Sequence, residues 1–287
     1  MKCDLHVHTV HSGMCTVPLL NRICRESYSA PQHVYETLKR RGMDLVTVTD
    51  HDSIDAAEVL RRHPDFFLSE EVTCRTPRGT ELHVGVYDIA ERDHIELQRR
   101  RDDLPALTAY LDERRLLYSV NHIYSSLTGR RTESDFDDFA AAFPAVEILN
   151  GQMLPVANRY AEAFAARNRK AIVAGSDAHT LASLGRTYTR VSSARDRRQF
   201  MEGLKRGRAT AIGDSGNYLK LTRAVGEIGF EMLNERRWTV LLSPLMAAIP
   251  LVTLAHLALE TTFAHKWGRR TAGLLDAVPT ERVLGRV

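Results

Sequence analysis

Cysteine is scarce in this chain: Cys3, Cys15, Cys24 and Cys74 are the only four in 287 residues, and none stands in a CxxC pair. That argues against a zinc ribbon or a disulfide scaffold and reads as the reduced thiols of a cytoplasmic protein. Net charge is nearly absent too, since 39 basic and 36 acidic residues leave +3. The basic clusters at Arg99 to Arg101, Arg130 with Arg131, and Arg197 with Arg198 carry no interleaved aromatics, so a nucleic-acid surface is not indicated. There is no internal repeat and no low-complexity linker. The first residues already read as a strand, which leaves no room for a secretory leader. Long apolar runs are missing with one exception. Residues 240–259, VLLSPLMAAIPLVTLAHLAL, hold no Asp, Glu, Lys or Arg over 20 positions, a length that suits a bilayer crossing.

What is present is an alternation of short apolar runs with amphipathic stretches. Strands are expected at 2–8, 44–49, 66–71, 81–86, 116–121, 145–149 and 171–176, with helices at 31–41, ending at Gly42, and at 155–167. Seven strands mostly alternating with helices predict an α/β barrel. The connection TCRTPRGTE between the third and fourth strands is too short for a crossover helix, so that pair is expected as a hairpin, which argues against a regular eightfold barrel. A barrel-like α/β domain is placed at 1–220. A C-terminal helical extension, 221–287, follows with a helix at 223–237, the uncharged run, and a polar tail.

Histidine is the residue in excess, and its placement carries the argument. DLHVHTVHSGMC opens the chain, and at i, i+2 spacing Asp4, His6 and His8 share one face of a strand. Asp177 and His179 repeat that spacing in GSDAH after the last apolar run. Between them, at successive strand ends, stand Asp50 and His51 (TDHD), Glu70 and Glu71 (SEEVT), His83 (LHVGVY) and His122 (NHIYS). In an α/β barrel these ends face one mouth, so imidazoles and carboxylates from six strands converge there. Such a mixed set suits Zn²⁺, Mn²⁺ or Fe²⁺ better than Mg²⁺ or Ca²⁺.

DLHVHT, TDHD, the Glu-Val-Thr of SEEVT, LHVGVY, NHIYS and GSDAH, in that order, resemble the polymerase and histidinol phosphatase (PHP) phosphoesterases over about residues 1–215. The resemblance implies a distorted (β/α)7 barrel and two or three divalent ions. Carried over, His6, His8, Glu71 and Asp177 hold one ion, Glu71 bridges to a second on His83 and His122, and His51 and His179 hold a third. Glu71 rather than Glu70 takes the bridging place, because the family glutamate directly precedes the Val/Ile-Ser/Thr pair. Many members place an Asp where this chain has Gly13, which leaves the third site short of a ligand; His11 and Cys15 are the candidate replacements. Asp4 and Asp50 are expected to orient ligand imidazoles, with Asp52 and Asn121 as further motif residues. Glu147 and Asn150 resemble the family's Glu-x-x-Asn and are expected on the substrate side. His33, His63, His94 and His265 read as surface residues without partners.

The expected activity is metal-dependent hydrolysis of a phosphate ester, a phosphomonoesterase acting on a small phosphorylated metabolite or nucleotide. Two ions sharing a water lower its pKa toward neutrality. Glu71, His51 and His179 are the catalytic candidates, and Arg186 in SLGRTYT is a candidate phosphate clamp whose competing reading is a surface salt bridge. Two alternatives stand beside this: an exonuclease-like phosphodiesterase on nucleic-acid ends, and a non-catalytic metal-binding regulatory module. Residues 238–263 form a candidate membrane segment, read as a span, an interfacial hairpin with Trp238 and Trp267 at the headgroups, or a buried helix pair.

Overall fold

A computed structural model describes residues 1–17 and 19–273. Pro18, within the loop at 16–29, and 274–287 of the predicted polar tail lie outside the described residues. The strands are β1 (Lys2–Cys3), β2 (Ser69–Arg75), β3 (Glu81–Tyr87), β4 (Leu117–Val120), β5 (Ala145–Asn150), β6 (Ala171–Gly175), β7 (Thr187–Arg190) and β8 (Thr210–Gly213). The helices are α1 (Pro31–Arg40), α2 (Ala57–Leu60), α3 (Glu91–Arg100), α4 (Leu104–Glu113), α5 (Glu133–Ala142), α6 (Pro155–Arg167), α7 (Arg197–Lys205), α8 (Tyr218–Glu235) and α9 (Ile249–Thr271). A 3-10 stretch, Arg237–Ala248, joins the last two.

Two sheets form, β2-β3-β4-β5-β6 and β1-β7-β8. The β2–β3 pair is the antiparallel hairpin that the short TCRTPRGTE connection requires, and β4, β5 and β6 run parallel. The ladders do not close into the expected seven-stranded barrel. Residues 44–49 form no strand and meet their neighbours through scattered backbone hydrogen bonds, such as Thr49 N–H to Val7 O (2.7 Å), and the isolated bridge Val46 to Phe66; His51 bridges to Glu71 and Val7 to Ala178. Side chains take the hydrogen bonds that a ladder would use. Thr49 Oγ1 accepts the Val7 N–H (2.9 Å) and donates to the Val7 carbonyl (3.2 Å), and the Asp4 carboxylate accepts the Ser176 N–H (2.7 Å). β7 and β8, unmarked by any long apolar run in the sequence, pair antiparallel beside β1.

Helix boundaries follow local chemistry. α1 and α6 each start with proline at the first turn, and α1 stops before Gly42, whose φ of +77° suits the left-handed turn. The main core lies between the five-stranded sheet and α4, α5, α6 and α9, with Phe136, Phe139, Tyr160, Phe164 and Trp267 filling it. A smaller cluster seals β1 against α7 through Leu5, Phe67, Phe200 and Leu204.

The extension divides along its length. Toward its end α9 is docked: Trp267 stacks on Phe136 (5.9 Å), Gly268 lies against the Tyr160 ring where a Cβ would not fit, and the buried Glu260 accepts the Ser126 N–H (2.9 Å). Trp267 therefore anchors the helix to the domain and is not an exposed headgroup anchor. The 3-10 stretch folds back along α8, with Thr239 Oγ1 donating to Met232 O (3.0 Å), Met246 against Gly229, and the Tyr218 hydroxyl donating to Pro250 O (3.3 Å). Residues 237–271 are long and apolar enough to cross a membrane, and only 11% of their most apolar 18-residue window is buried.

Candidate metal centre

The extended segments after β1 and at 44–51, the interiors of β2 and β3, and the residues just past β4 and β6 bring Asp4, His6, His8, Asp50, Glu71, His122 and Asp177 into a buried cluster, with His51, His83 and His179 at its rim. Glu71 is central. Its Oε2 lies 3.1 Å from His6 Nε2, 3.5 Å from His8 Nε2 and 3.4 Å from His51 Nδ1, while Oε1 lies 3.3 Å from His122 Nε2 and 3.6 Å from His83 Nδ1. Asp177 Oδ1 completes one side, 3.5 Å from His6 Nε2 and 3.3 Å from His8 Nε2. The eight ligands expected from the sequence fall into four overlapping triads of closely spaced donor atoms: His6, His8 and Asp177; His6, Glu71 and His122; His51, Glu71 and His83; His8, His51 and His179.

These spacings decide what the cluster is built for. A charge-assisted N–H···O bond closes to about 2.7–2.9 Å, whereas two donors each about 2.1 Å from a tetrahedral ion stand about 3.4 Å apart. Most of the contacts have the second spacing. In addition, His8 Nε2, His51 Nδ1, His83 Nδ1 and His122 Nδ1 are buried without a hydrogen-bond partner, a cost that protein interiors avoid unless something else satisfies the atom. The donor set fits divalent ions.

Supports behind the donors fix which nitrogen faces inward. His6 Nδ1 donates to Glu147 Oε1 (2.8 Å), His8 Nδ1 donates to Ser12 Oγ (2.9 Å), which donates to Asp50 (2.7 Å), and His179 Nδ1 donates to the Asp177 carbonyl (2.9 Å). Each leaves Nε2 toward the centre. Asp50 therefore reaches an imidazole through Ser12. Asp4 does not touch one: its carboxylate accepts the backbone N–H groups of Ser176 (2.7 Å), Gly185 (2.8 Å) and His6 (3.4 Å), and burial raises it to about 6. Glu147 and Asn150 are not on the substrate side. Both are buried, and Asn150 Nδ2 donates to Glu147 (2.9 Å) and Asp177 (3.0 Å). Asn121 donates to Glu71 Oε1 (2.8 Å).

Glu70 points to the opposite face of β2, as adjacent strand residues must, and there His94 Nδ1 donates to it (2.8 Å). His94 thus has a buried partner that its polar sequence context did not reveal, as do His63, stacked on Tyr35, and His265, against the Tyr160 hydroxyl. His11 and Cys15 stand in none of the donor triads. Arg186 is exposed and donates Nε to Ala182 O (2.9 Å), with no carboxylate partner among the described residues. A carboxylate that sequence reading passed over does face the cluster: Glu26 Oε2 lies 3.4 Å from His51 Nε2 and Oε1 lies 3.5 Å from His179 Nε2.

Electrostatics follow from this packing. Burial opposes charge on every group, but the imidazoles around Glu71 and Asp177 hold both carboxyls well below the ordinary range. Burial would likewise lower His6 and His51; the neighbouring carboxylates raise His6 well above free imidazole and His51 to about 10. His8, buried and facing other imidazoles, falls to about 3. Two donors sit in left-handed backbone just past their strands, His122 at φ +31° and Asp177 at φ +51°, held by a Glu147 bond to the His122 N–H (3.0 Å) and by the His6 carbonyl accepting the Asp177 N–H (2.7 Å). The side chains that meet solvent are His51 (15% exposed), His83 (16%) and His179 (19%), which places the opening on their side.

Comparison with known proteins agrees with this geometry. The PHP-associated family model matches residues 155–209, a span that includes Asp177 and His179. A 54-residue stretch, 19% of this chain, is 35% identical to an uncharacterized protein of Methanocaldococcus jannaschii and spans 30% of that protein. Among solved structures the fold is similar to PsfC from Pseudomonas syringae (TM-score 0.59, 18% identity, 82% of this chain and 98% of that one). It is also similar to a two-domain protein from Bacteroides vulgatus containing a predicted PHP-like metal-dependent phosphoesterase (0.55, 16%, 75% of this chain and 65% of that one), so this chain spans less than two thirds of that protein. A third is the lesion-specific endonuclease PfuEndoQ from Pyrococcus furiosus (0.52, 18%, 74% of this chain and 58% of that one). The PHP-associated match thus carries part of the cluster, and the fold around it is similar to that of a protein containing a predicted PHP-like domain.

Proposed function

We propose that this protein is a divalent-metal-dependent phosphoesterase whose substrate is a small phosphorylated molecule. The observation that carries this is the single buried carboxylate of Glu71 facing five imidazoles with its two oxygens divided between them. Bound divalent ions supply an activated water and neutralise phosphoryl oxygens as charge develops. The chain's own part is positional. Glu147, Ser12 with Asp50, and the Asp177 carbonyl present Nε2 of His6, His8 and His179, while Asn121 fixes Glu71. His51, His83 and His179 border the opening through which an ester enters, and exposed Arg186, with no carboxylate partner among the described residues, is suited to clamp a phosphate. Two or three ions, of Zn²⁺, Mn²⁺ or Fe²⁺ type, suit this donor set.

The small substrate is favoured over a nucleic-acid end because most arginines of the basic clusters are paired or buried. Arg99 and Arg100 pair with Glu96, Arg101 with Asp52 and Arg197 with Asp88, and Arg131 is buried against Glu81 O and Thr128. Among the described residues these contacts reduce the cationic surface available to a phosphate backbone. The phosphodiesterase reading keeps support from the likeness to PfuEndoQ. Purified protein assayed with and without Mn²⁺ on a chromogenic phosphate monoester, nucleoside bisphosphates and short oligonucleotides separates the two. Hydrolysis of the first two classes, lost in Glu71→Gln, is expected; turnover of oligonucleotides alone would overturn the substrate assignment.

For the extension, the supported reading is an interfacial one in a cytoplasmic protein. Leu241, Leu245, Leu251, Val252, Leu254 and Leu259 are exposed, Arg236 and Arg237 precede them and Lys266, Arg269 and Arg270 follow, a pattern that suits an anionic lipid surface. The docked end of α9 argues against a span. Flotation with phosphatidylserine vesicles, lost in Leu241→Ser/Leu251→Ser, is the test.

A further inference from the structure

Glu26 reaches the cluster from a loop rather than from a strand end. Cys15 N–H donates to Cys24 O (3.0 Å), Met14 bridges to Arg25, and the Glu26 N–H donates to Gly13 O (3.1 Å). These contacts make a small antiparallel pair in which position 26 stands across from position 13. The Glu26 oxygens divide between His51 Nε2 (3.4 Å) and His179 Nε2 (3.5 Å), the spacing of neighbouring donors on one ion rather than that of a charge-assisted hydrogen bond. Ser27 Oγ donates to the His179 carbonyl (3.0 Å) and so ties the loop to the same ligand.

The residues on either side of Glu26 are held from the extension. Arg25 Nε donates to Glu235 Oε1 (2.9 Å), the Tyr28 hydroxyl donates to Glu235 Oε2 (3.3 Å), and the Arg25 N–H donates to the Tyr28 oxygen (3.1 Å). Glu235 is the last residue of α8, immediately before the turn into the apolar stretch.

We propose that Glu26 is the carboxylate ligand of a third divalent ion held with His51 and His179, and that Glu235 positions it by clamping Arg25 and Tyr28. Filling of the third site then depends on how the C-terminal extension is seated. This rests on reading the cluster as a divalent-metal centre, and its test is a count of ions that does not depend on turnover.

The full-length protein is stripped of metal, dialysed against graded Mn²⁺, and its metal content and affinities are measured beside melting of the metal-free protein. Wild type is expected to bind three Mn²⁺ and Glu26→Gln two, with the two tighter affinities unchanged. Glu26→Asp, which keeps the charge, is expected to retain a weakened third ion and serves if the glutamine variant fails to fold. Glu235→Gln is expected to bind three, the weakest by about tenfold less, the scale of losing a group that orients a ligand. Equal stoichiometry and affinity in wild type and Glu26→Gln overturns the ligand assignment, and an unchanged weakest affinity in Glu235→Gln overturns the clamp. Two ions on wild type with hydrolysis intact overturns the third site and leaves the proposed function standing. No Mn²⁺ bound by wild type overturns both.

Discussion

In its histidine cluster the protein buries His6, His8, Asp50, Glu71 and Asp177 to 6% exposure or less, whereas along its extension it leaves Leu241 and Leu251 at 72% or more. The two regions depart from ordinary polarity in opposite directions. Burying ionisable groups is costly unless each finds a partner, and four imidazole nitrogens have none. Contiguous exposed apolar side chains carry the mirror-image cost in water. The donor spacing of the first region suits cations, and the second is the region for which an apolar cover is proposed.

The sharpest break of this comparison is Glu71→Gln. Removing the carboxylate shared by five imidazoles is expected to lower hydrolysis by more than the roughly 100-fold typical of losing an outer support, while vesicle flotation stays unchanged. A loss of both would show that the regions are not separable. Next comes the contrast within α9. Trp267→Ala should cost about 3 kcal/mol or more, read by urea denaturation, because the ring packs on Phe136. Leu251→Ala, on the exposed side of the same helix, should fall within about 0.5 kcal/mol. Comparable losses would mean that the exposed side is covered in solution.

Smaller again is Glu147→Gln. It keeps the shape behind His6 but weakens the bond that sets its tautomer, so a drop of roughly 10–100-fold in metal affinity is expected by competition with a chelator. The subtlest test uses pH. In metal-free protein His51 is raised to about 10, so its charged form adds stability that is fully present below about 6.5 and is lost as pH climbs through 10. Ions need neutral imidazole, so metal affinity should instead rise with pH, each binding event releasing protons. Melting temperatures with and without Mn²⁺ between pH 6.5 and 9 are expected to diverge. Parallel curves would contradict the assignment of His51 to the centre.

How much of this was legible beforehand depended on whether a residue's role was local. α6 begins at Pro155 and ends at Arg167 where helical spacing and proline chemistry put it, and the β2–β3 hairpin follows from the shortness of its connection. The ordered His and Asp motifs show which residues share a face because i, i+2 alternation is a property of one extended segment, although TDHD follows no strand and Glu71 and His83 lie inside theirs. Glu26 left no such mark, since a carboxylate in a polar loop reads the same whether it is solvated or folded across onto two imidazoles. The roles of Glu147 and Glu70 were hidden for a related reason: which face of a strand meets the cluster is settled by distant partners such as His6 and His94. The expected barrel closure is not formed by continuous ladders, because Asp4 and Thr49 side chains take backbone hydrogen bonds that periodicity assigns to strands.

The left-handed backbone at His122 and Asp177 bears on kinetics. Such conformations cost non-glycine residues on the order of 1–3 kcal/mol each and persist only when the surroundings enforce them. Here the Glu147 bond to His122 and the His6 bond to Asp177 enforce them. The aim of these two donors is thus set by the chain's own hydrogen bonds, so weakening either bond should slow metal uptake, because the backbone must then be ordered as the ion binds.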